Sequence, residues 1–298
     1  MNDSTIAFIG FGEAGGLLGG ALAARNVRVT MYDRLLDDAH TAQAMRNRAA
    51  RLNVWAAPTL ADAVRDVRWI VSAVTASSDA DVADAVAACI RPGQTFIDIN
   101  SVSPAMKQHG QQRIEAAGGH YVEAAVMAPV PPYGLAVPML LGGPQAEAIA
   151  YELKALGFNA RAVSARVGVA SAAKMCRSVM IKGIEALTVE CLGAARVYGA
   201  DALVLASLRQ TFDQFAASPD LPGYLISRVA EHGRRRAAEM REVCETLREG
   251  GIAPEMSAAC ARVQDRFVDR MAERGLDYDA LLPFDWTQTL DLLDGRQR

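Results

Sequence analysis

The sequence predicts an α/β fold in which a doubly wound, mainly parallel sheet is followed by an all-α domain. Up to about residue 165, short apolar segments alternate with helical segments, and no clear strand follows that position. From Gly168 to Gly199, apolar and small residues recur at helical spacing with few breakers, which predicts a long interdomain helix. We therefore expect the boundary at the entrance of this helix, with domains at residues 1–164 and 165–298.

Five apolar segments of the first domain predict strands. They begin at Thr5, Val27, Trp69, Thr95 and Tyr121, and helical segments separate most of them. Because a parallel pair of strands needs a long crossover connection, this alternation indicates a parallel sheet covered by helices on both faces. In the second domain, amphipathic segments predict helices at about 201–216, 223–249, 254–273 and 285–293.

The composition argues against several classes of protein. A formal net charge of -3 gives no reason to expect a nucleic acid partner. No segment approaches the roughly 20 apolar residues that a membrane span needs, and the polar start, Met1 to Thr5, is not expected to be a signal peptide. Five widely spaced cysteines predict reduced thiols in a cytoplasmic protein, and four scattered histidines predict no metal site.

A glycine-rich turn follows the first predicted strand and opens a helix. This is the context in which the pattern G-x-G-x-x-G binds a dinucleotide, so the first domain is predicted to be a Rossmann-type domain. The first glycine permits the tight turn, the second lets the backbone approach a diphosphate, and the third lets the helix lie close to the sheet. The motif consists of Gly10, Phe11, Gly12, Glu13, Ala14 and Gly15.

Two residues at the end of the second strand bear on the choice of cofactor. Asp33 follows Gly15 by 18 residues, where an acidic side chain accepts hydrogen bonds from the ribose hydroxyls. Its carboxylate favours NAD, because the 2′-phosphate of NADP would face a negative charge. Arg34 comes next and could pair with that phosphate, so NADP remains an alternative. Val74 and Thr75, at the end of the third predicted strand, are further candidates for cofactor contacts.

With this turn, the chain resembles the β-hydroxyacid dehydrogenases, the family related to 6-phosphogluconate and 3-hydroxyisobutyrate dehydrogenases. Residues 96–104 resemble the family's D-x-S-T-x-x-P substrate loop, and residues 168–174 its G-x-x-x-x-x-K stretch. Residues 121–126 and 141–143 are similar to its D-A-P-V-S-G-G segment and later G-G pair. Residues 232–240 resemble a branch that carries a C-terminal domain of unknown function. The resemblance also implies a homodimer formed through the helical domain.

The family likeness implies that Lys174 is the general acid and base. Small residues precede it, so a flat ring could pack against this face of the helix, and Ser178 shares the face one turn later. The candidate substrate-binding residues of the first domain and the long helix are Asn100, Ser101, Met127, Ala128 and Ser178. In the second domain, Arg235 or Arg236, with His232, is a candidate for binding a substrate carboxylate or phosphate, because arginine makes paired contacts with such groups. The alternative is that the run Arg234-Arg235-Arg236 forms a solvated helix face.

The chain departs from the family pattern at two places. Arg177 and Ser178 stand where asparagines normally follow the lysine, and Met127-Ala128-Pro129 replaces the usual S-G-G. Proline supplies no backbone N–H, so we do not expect a backbone cradle for a carboxylate there. The substrate is therefore not expected to be 3-hydroxyisobutyrate or a close relative.

The sequence thus predicts an NAD(P)-dependent oxidoreductase that transfers a hydride between nicotinamide and a β-hydroxy acid or a related hydroxy compound. One alternative is a reductase of imines or pyrrolines, which can share the glycine turn and a helical second domain. Another is a regulator that senses NAD(P) without turnover. The expected partners are a small-molecule substrate and a second copy of the chain.

Overall fold

The computed structural model describes residues 5–296, so the predicted absence of a signal peptide rests on residues that lie mostly outside the described part. The chain divides into two compact units, residues 1–179 and residues 180–298. Within residues 5–296, no helix combines the length and the apolar character that crossing a bilayer requires.

The first unit contains one eight-stranded sheet in the order β3-β2-β1-β4-β5-β6-β7-β8. All neighbouring strands are parallel except β6 and β7, which are antiparallel. The order reverses between β1 and β4, which is the switch point where open α/β sheets bind ligands. The strands are β1 (Thr5–Ile9), β2 (Arg28–Tyr32), β3 (Trp55–Ala56), β4 (Trp69–Ser72), β5 (Thr95–Asp98), β6 (His120–Val126), β7 (Pro138–Gly142) and β8 (Asn159–Ser164).

Helices cover both faces of this sheet. Alternate residues of β1 belong to two different core clusters, with Ile6 and Phe8 in one and Ala7 and Ile9 in the other. Because both faces are buried, the strand is apolar from Ile6 to Ile9, as the sequence pattern predicts. The helices are α1 (Glu13–Ala23), α2 (Ala39–Arg51), α3 (Leu60–Val64), α4 (Asp79–Ala87), α5 (Pro104–Ala116), α6 (Val130–Tyr133) and α7 (Ala146–Ala155).

The long predicted helix is present as α8 (Val169–Val197), and the division between the two units falls inside it, after Val179. The sequence places the boundary at residues 164 and 165, at the entrance of this helix. The first turns of α8 belong to the first unit because their backbone N–H groups are bound by Glu123 of β6.

The described part of the second unit is helical. It consists of the end of α8 and of α9 (Asp201–Ala217), α10 (Leu221–Glu249), α11 (Glu255–Glu273) and α12 (Trp286–Asp294). Helices α10 and α11 pack closely at Gly233, where a Cβ would lie 2.7 Å from a methyl carbon of Val268. The predicted fold class, a doubly wound sheet followed by helices, is confirmed.

Candidate active site

The glycine turn follows β1 and is held tightly against β4. Gly10 has a φ of +90°, a conformation that favours glycine, and a Cβ there would lie 2.4 Å from the carbonyl oxygen of Ala73. A Cβ on Gly15 would lie 2.2 Å from the carbonyl oxygen of Gly10. The fold itself therefore requires glycine at both positions.

Gly12 differs from these two glycines. It is the N-cap of α1, no side chain caps the helix, and a Cβ on Gly12 would meet nothing within 4 Å. An uncapped helix start offers N–H groups and the positive end of the helix dipole to an anion. The open space above Gly12 and the uncapped helix fit the diphosphate of a dinucleotide cofactor.

Asp33 ties the end of β2 to this turn. Its Oδ2 accepts the N–H of Phe11 at 2.7 Å, and its Oδ1 accepts the N–H of Leu35 at 3.0 Å. The side chain of Arg34 is exposed beside it. The carboxylate is thus fixed next to the turn, where the adenosine ribose of a dinucleotide lies in this fold.

Arg48 is a residue of this region that the sequence analysis missed. It lies on α2, and its Nη2 donates to the carbonyl oxygen of Gly12 at 2.7 Å. A Cβ on Gly16 would lie 2.7 Å from the same nitrogen, so the guanidinium lies flat against the first turns of α1. No spacing signal identifies Arg48, because only the packing of α2 on α1 brings it to the turn.

Asn100 holds the ends of β4 and β5 together. Its Oδ1 accepts the N–H of Val74 at 2.7 Å, and its Nδ2 donates to Ser72 Oγ at 2.8 Å and to Asp79 Oδ1 at 2.7 Å. Asn100 is buried, and both N–H groups of its amide are used within the protein. It therefore fixes the backbone at Val74, while Thr75 beside it is exposed.

A buried polar cluster lies beneath Asn100. Asp98 receives hydrogen bonds from Lys107 Nζ at 2.7 Å and from the hydroxyl of Tyr121 at 2.6 Å. Burial, followed by the negative charge of Asp98, raises the pKa of Asp79 to about 6. Burial and the same charge raise the pKa of Tyr121 well above its ordinary value. This cluster was not predicted, although an aspartate that ends an apolar strand, with a lysine nine residues later, is a signal for it.

Lys174 lies in the first unit, on α8. Its Nζ donates to the hydroxyl of Ser101 at 2.6 Å, and the side chain is partly exposed. The hydroxyl of Ser178 donates to the carbonyl oxygen of Lys174 at 3.0 Å, a bond within the helix. The structure therefore brings Lys174 and Ser101 together, and Ser178 lies one turn behind them.

Glu123 fixes the start of the helix that carries Lys174. Its buried carboxylate accepts the N–H groups of Gly168 at 2.7 Å, Ala170 at 3.0 Å and Ser171 at 3.2 Å. Negative charge at a helix N-terminus is stabilising, and these bonds satisfy N–H groups that the helix leaves open. Glu123 is thus a positioning residue for α8, which the sequence analysis quoted within a motif without assigning it a role.

Met127 and Ala128 follow β6, next to β5, and both are partly buried. The Nη1 of Arg177 lies 3.5 Å from the carbonyl oxygen of Met127. Strand order therefore places the glycine turn, Val74, Ser101 and Met127 after β1, β4, β5 and β6, along one edge of the sheet. From β1 to β5 is two strand spacings, or about 10 Å.

His232 and Arg235 belong to the second unit, on α10. The Nε2 of His232 lies 3.3 Å from a carboxylate oxygen of Glu231. Arg235 is exposed and pairs with Glu239 one turn along the same helix. Both of these pairs lie within α10.

Two family models match the chain. Residues 5–157 match the NAD binding domain of 6-phosphogluconate dehydrogenase, and residues 195–267 match a domain of unknown function, DUF1932. No curated protein matches the chain. The chain thus carries an NAD-binding domain followed by the helical domain that the sequence predicts.

Several solved structures are similar over nearly the whole chain. A conserved hypothetical protein from Sinorhizobium meliloti 1021 is 36% identical, with a TM-score of 0.63 over 99% of this chain and 97% of that one. The conserved protein MTH1747 of unknown function, described as structurally similar to 3-hydroxyacid dehydrogenases, is 31% identical, with a TM-score of 0.59 over 88% and 96%. An imine reductase from Myxococcus stipitatus in complex with NADP+ is 21% identical, with a TM-score of 0.71 over 94% and 99%, which is a likeness of fold.

The family resemblance that the motifs predict is therefore confirmed in both halves of the chain. The glycine turn, the acidic residue at the end of β2 and the switch point between β1 and β4 are the features of an NAD-binding domain, and the model match covers them all. The chain belongs to the 6-phosphogluconate dehydrogenase-type NAD-binding family, in the branch whose C-terminal domain is DUF1932.

Proposed function

We propose that this protein is an NAD(P)-dependent oxidoreductase acting on a β-hydroxy acid or a related hydroxy compound, with Lys174 as the general acid and base. The observation that carries the proposal is the 2.6 Å hydrogen bond between Lys174 Nζ and Ser101 Oγ. It places an ammonium group and a hydroxyl at the edge of the sheet that also carries the glycine turn.

In this proposal the protein supplies position and proton transfer. Bound NAD(P) supplies the nicotinamide that accepts or donates the hydride. In the direction of reduction, the Lys174 ammonium donates its proton to the carbonyl oxygen of the substrate. In the direction of oxidation, the neutral amine takes the proton of the substrate hydroxyl. Ser101 binds the same substrate oxygen and holds it against Nζ.

The test is turnover by a Lys174→Met variant with a panel of hydroxy acids, followed by NADH absorbance. We expect kcat to fall by roughly 10²–10⁴-fold, which is the usual contribution of a general acid or base. The dissociation constant of NADH, measured by fluorescence titration, should stay within about 2-fold, because Lys174 is assigned to proton transfer. Lys182→Met, which removes an exposed lysine from the same helix, is the matched control. Unchanged turnover in Lys174→Met would remove the proposed role.

The same panel separates this proposal from its alternatives. It includes a cyclic imine, because imine reductases share the fold. Reduction of the imine with no turnover of any hydroxy acid would replace the proposed reaction. Saturable binding of NAD(H) with no turnover of any compound would favour a sensor of the cofactor.

We infer further that NAD is preferred over NADP. The carboxylate of Asp33 is held beside the glycine turn by the N–H groups of Phe11 and Leu35. A 2′-phosphate bound there would face this fixed negative charge, and the exposed Arg34 would have to offset the repulsion. A higher kcat/KM with NAD than with NADP is the expected result, and a large preference for NADP would reverse the inference.

We propose that the chain forms a homodimer through its helical unit. Helix α9 buries no residue in the single chain, and on it Leu203 is 77% exposed and Phe212 is 52% exposed. An apolar groove of about 670 Å³ lies beside it, lined mainly by residues of α8, α9 and α10, with Ser257 of α11. Contiguous apolar surface of this kind normally contacts another protein, and most such assemblies are symmetric.

A further inference from the structure

The six arginines of α10 fall into two groups. Arg228 and Arg236 are partly buried, and within residues 5–296 neither makes an ion pair or a hydrogen bond. The other four are exposed, and each has a carboxylate partner. These pairs are Arg234 with Asp265 and Asp269, Arg235 with Glu239, Arg241 with Asp265, and Arg248 with Glu245.

This distribution is the reverse of what stability alone favours. A charge costs more when it is partly buried, so the buried arginines should be the ones with partners. Here the Nε atoms of Arg228 and Arg236 are fully buried and lack any acceptor in the described part of the chain. Together with Gln264 on α11, they supply three of the four unsatisfied buried side-chain atoms found among residues 5–296.

The two arginines lie on one face of the helix, with His232 between them. Successive positions four residues apart are rotated by only about 40°, so Arg228, His232 and Arg236 form a single row. Arg228 and Arg236 are eight residues apart, so their Cα atoms are about 12 Å apart along the helix axis. Their long side chains can bring the two guanidinium groups closer together than this. The carboxylate of Glu231 lies 3.3 Å from His232 Nε2 and at the margin of this row.

We propose that Arg228 and Arg236, which flank His232, form an oxyanion site that binds the carboxylate or phosphate group of a small molecule. Guanidinium groups bind carboxylate and phosphate through paired N–H groups. Within residues 5–296, neither guanidinium makes an ion pair or a hydrogen bond through any of its nitrogens. The sequence offers Arg235, with Arg236 as its alternative, for such a role. The partners in the structure favour Arg236, together with Arg228, because Arg235 already has the carboxylate of Glu239.

The test is a calorimetric titration of the full chain with inorganic phosphate and, separately, with citrate. The protein is saturated with NADH, so that the glycine turn is occupied, and ionic strength is held constant with sodium chloride. We expect saturable binding of at least one probe, weakened about 10-fold or more in Arg228→Gln and in Arg236→Gln, because a lost charge-assisted bond is worth at least that factor. The relative affinities for phosphate and citrate distinguish a phosphate ligand from a carboxylate ligand.

Arg235→Gln is the matched control and should bind the probes as the unmodified protein does. Absence of saturable binding, or equal weakening in Arg235→Gln, would overturn the proposal. A second readout is the melting temperature without any added anion. Arg236→Met should raise it by about 2 °C, because the variant removes a buried charge without a partner. A lowered melting temperature together with undiminished binding of the probes would identify Arg236 as a packing residue only.

Discussion

The glycine turn allows a sharp separation of cofactor binding from folding. A methyl group on Gly12 would meet nothing within 4 Å, whereas one on Gly15 would lie 2.2 Å from the carbonyl oxygen of Gly10. We therefore predict that Gly12→Ala weakens NADH binding with little effect on stability. We predict that Gly15→Ala destabilises the first unit even without cofactor.

The expected magnitudes follow from these contacts. At Gly12, alanine is a poorer N-cap than glycine by about 1 kcal/mol. Alanine also lowers the conformational entropy of the unfolded chain, which offsets about 0.4–1 kcal/mol of that loss, so the net change in stability is small. At Gly15, the oxygen contact must open by roughly 1 Å, and overpacking of that kind costs about 1–3 kcal/mol. This corresponds to a drop in melting temperature of about 3–10 °C. Loss of the diphosphate contact at Gly12 should raise the dissociation constant of NADH at least about 10-fold, or 1.4 kcal/mol.

The assay is a fluorescence titration with NADH, paired with thermal unfolding followed by circular dichroism in the absence of cofactor. Gly183→Ala, which changes a glycine of α8 with open space and an ordinary backbone conformation, serves as a control for a general glycine effect. The reasoning is refuted if Gly12→Ala binds NADH like the unmodified protein, or if its melting temperature falls as far as that of Gly15→Ala.

Three further predictions concern the support of the site and the assembly. Glu123→Gln should lower stability by about 2–3 kcal/mol, because one charge-assisted bond and the charge at the start of α8 are lost; urea unfolding measures this, and an exposed Glu115→Gln control should change little. The folded-state pKa of Asp79, raised from 3.8 to about 6, means that folding favours its protonated form, so this group's stabilising contribution is lost as pH rises from about 4 to about 6. Asp79→Asn should therefore remove that fall and stabilise the protein above pH 6, and an unchanged pH profile would argue against it. Leu203→Asp should shift the particle measured by light scattering from twice the mass of the chain to the single chain, and an unmodified protein that is already a monomer would end the dimer proposal.

The sequence predicted the sheet where a strand is long and apolar, and it missed strands where local pattern is weak. Residues 6–9 and 69–71 are continuous apolar runs, and both lie in strands of the switch point. Strand β3 has two residues, β7 begins with a proline, and β8 alternates polar with small residues. Such strands form because neighbouring strands supply the hydrogen bonds and the packing, which a local pattern does not contain.

The candidate site was predictable to the extent that a motif carries the chemistry in contiguous residues. The turn from Gly10 to Gly15 and the lysine of α8 were found in this way. Arg48 reaches the turn only through the packing of α2 on α1, so no spacing rule identifies it. The pair of Asp98 and Lys107 leaves a local signal, but its burial and its contact with Tyr121 depend on how the strands pack. Arg235 was selected from a run of three arginines, and only the partners of each guanidinium distinguish it from Arg236.

The buried cluster beneath Asn100 explains how the edge of the sheet can stay rigid while its outer face is open. The side-chain amide of Asn100 binds the backbone at Val74, the hydroxyl of Ser72 and the carboxyl of Asp79. The backbone N–H of Asn100 donates to the carboxylate of Asp98. Ser101, the next residue, is thereby anchored from below while its hydroxyl remains available to Lys174. A partly exposed lysine on a 29-residue helix gains a fixed partner only if that partner is immobile. The cluster holds the strand end, and the Glu123 carboxylate holds the helix start. A change in either is therefore expected to lower kcat by a larger factor than it lowers the affinity for NADH.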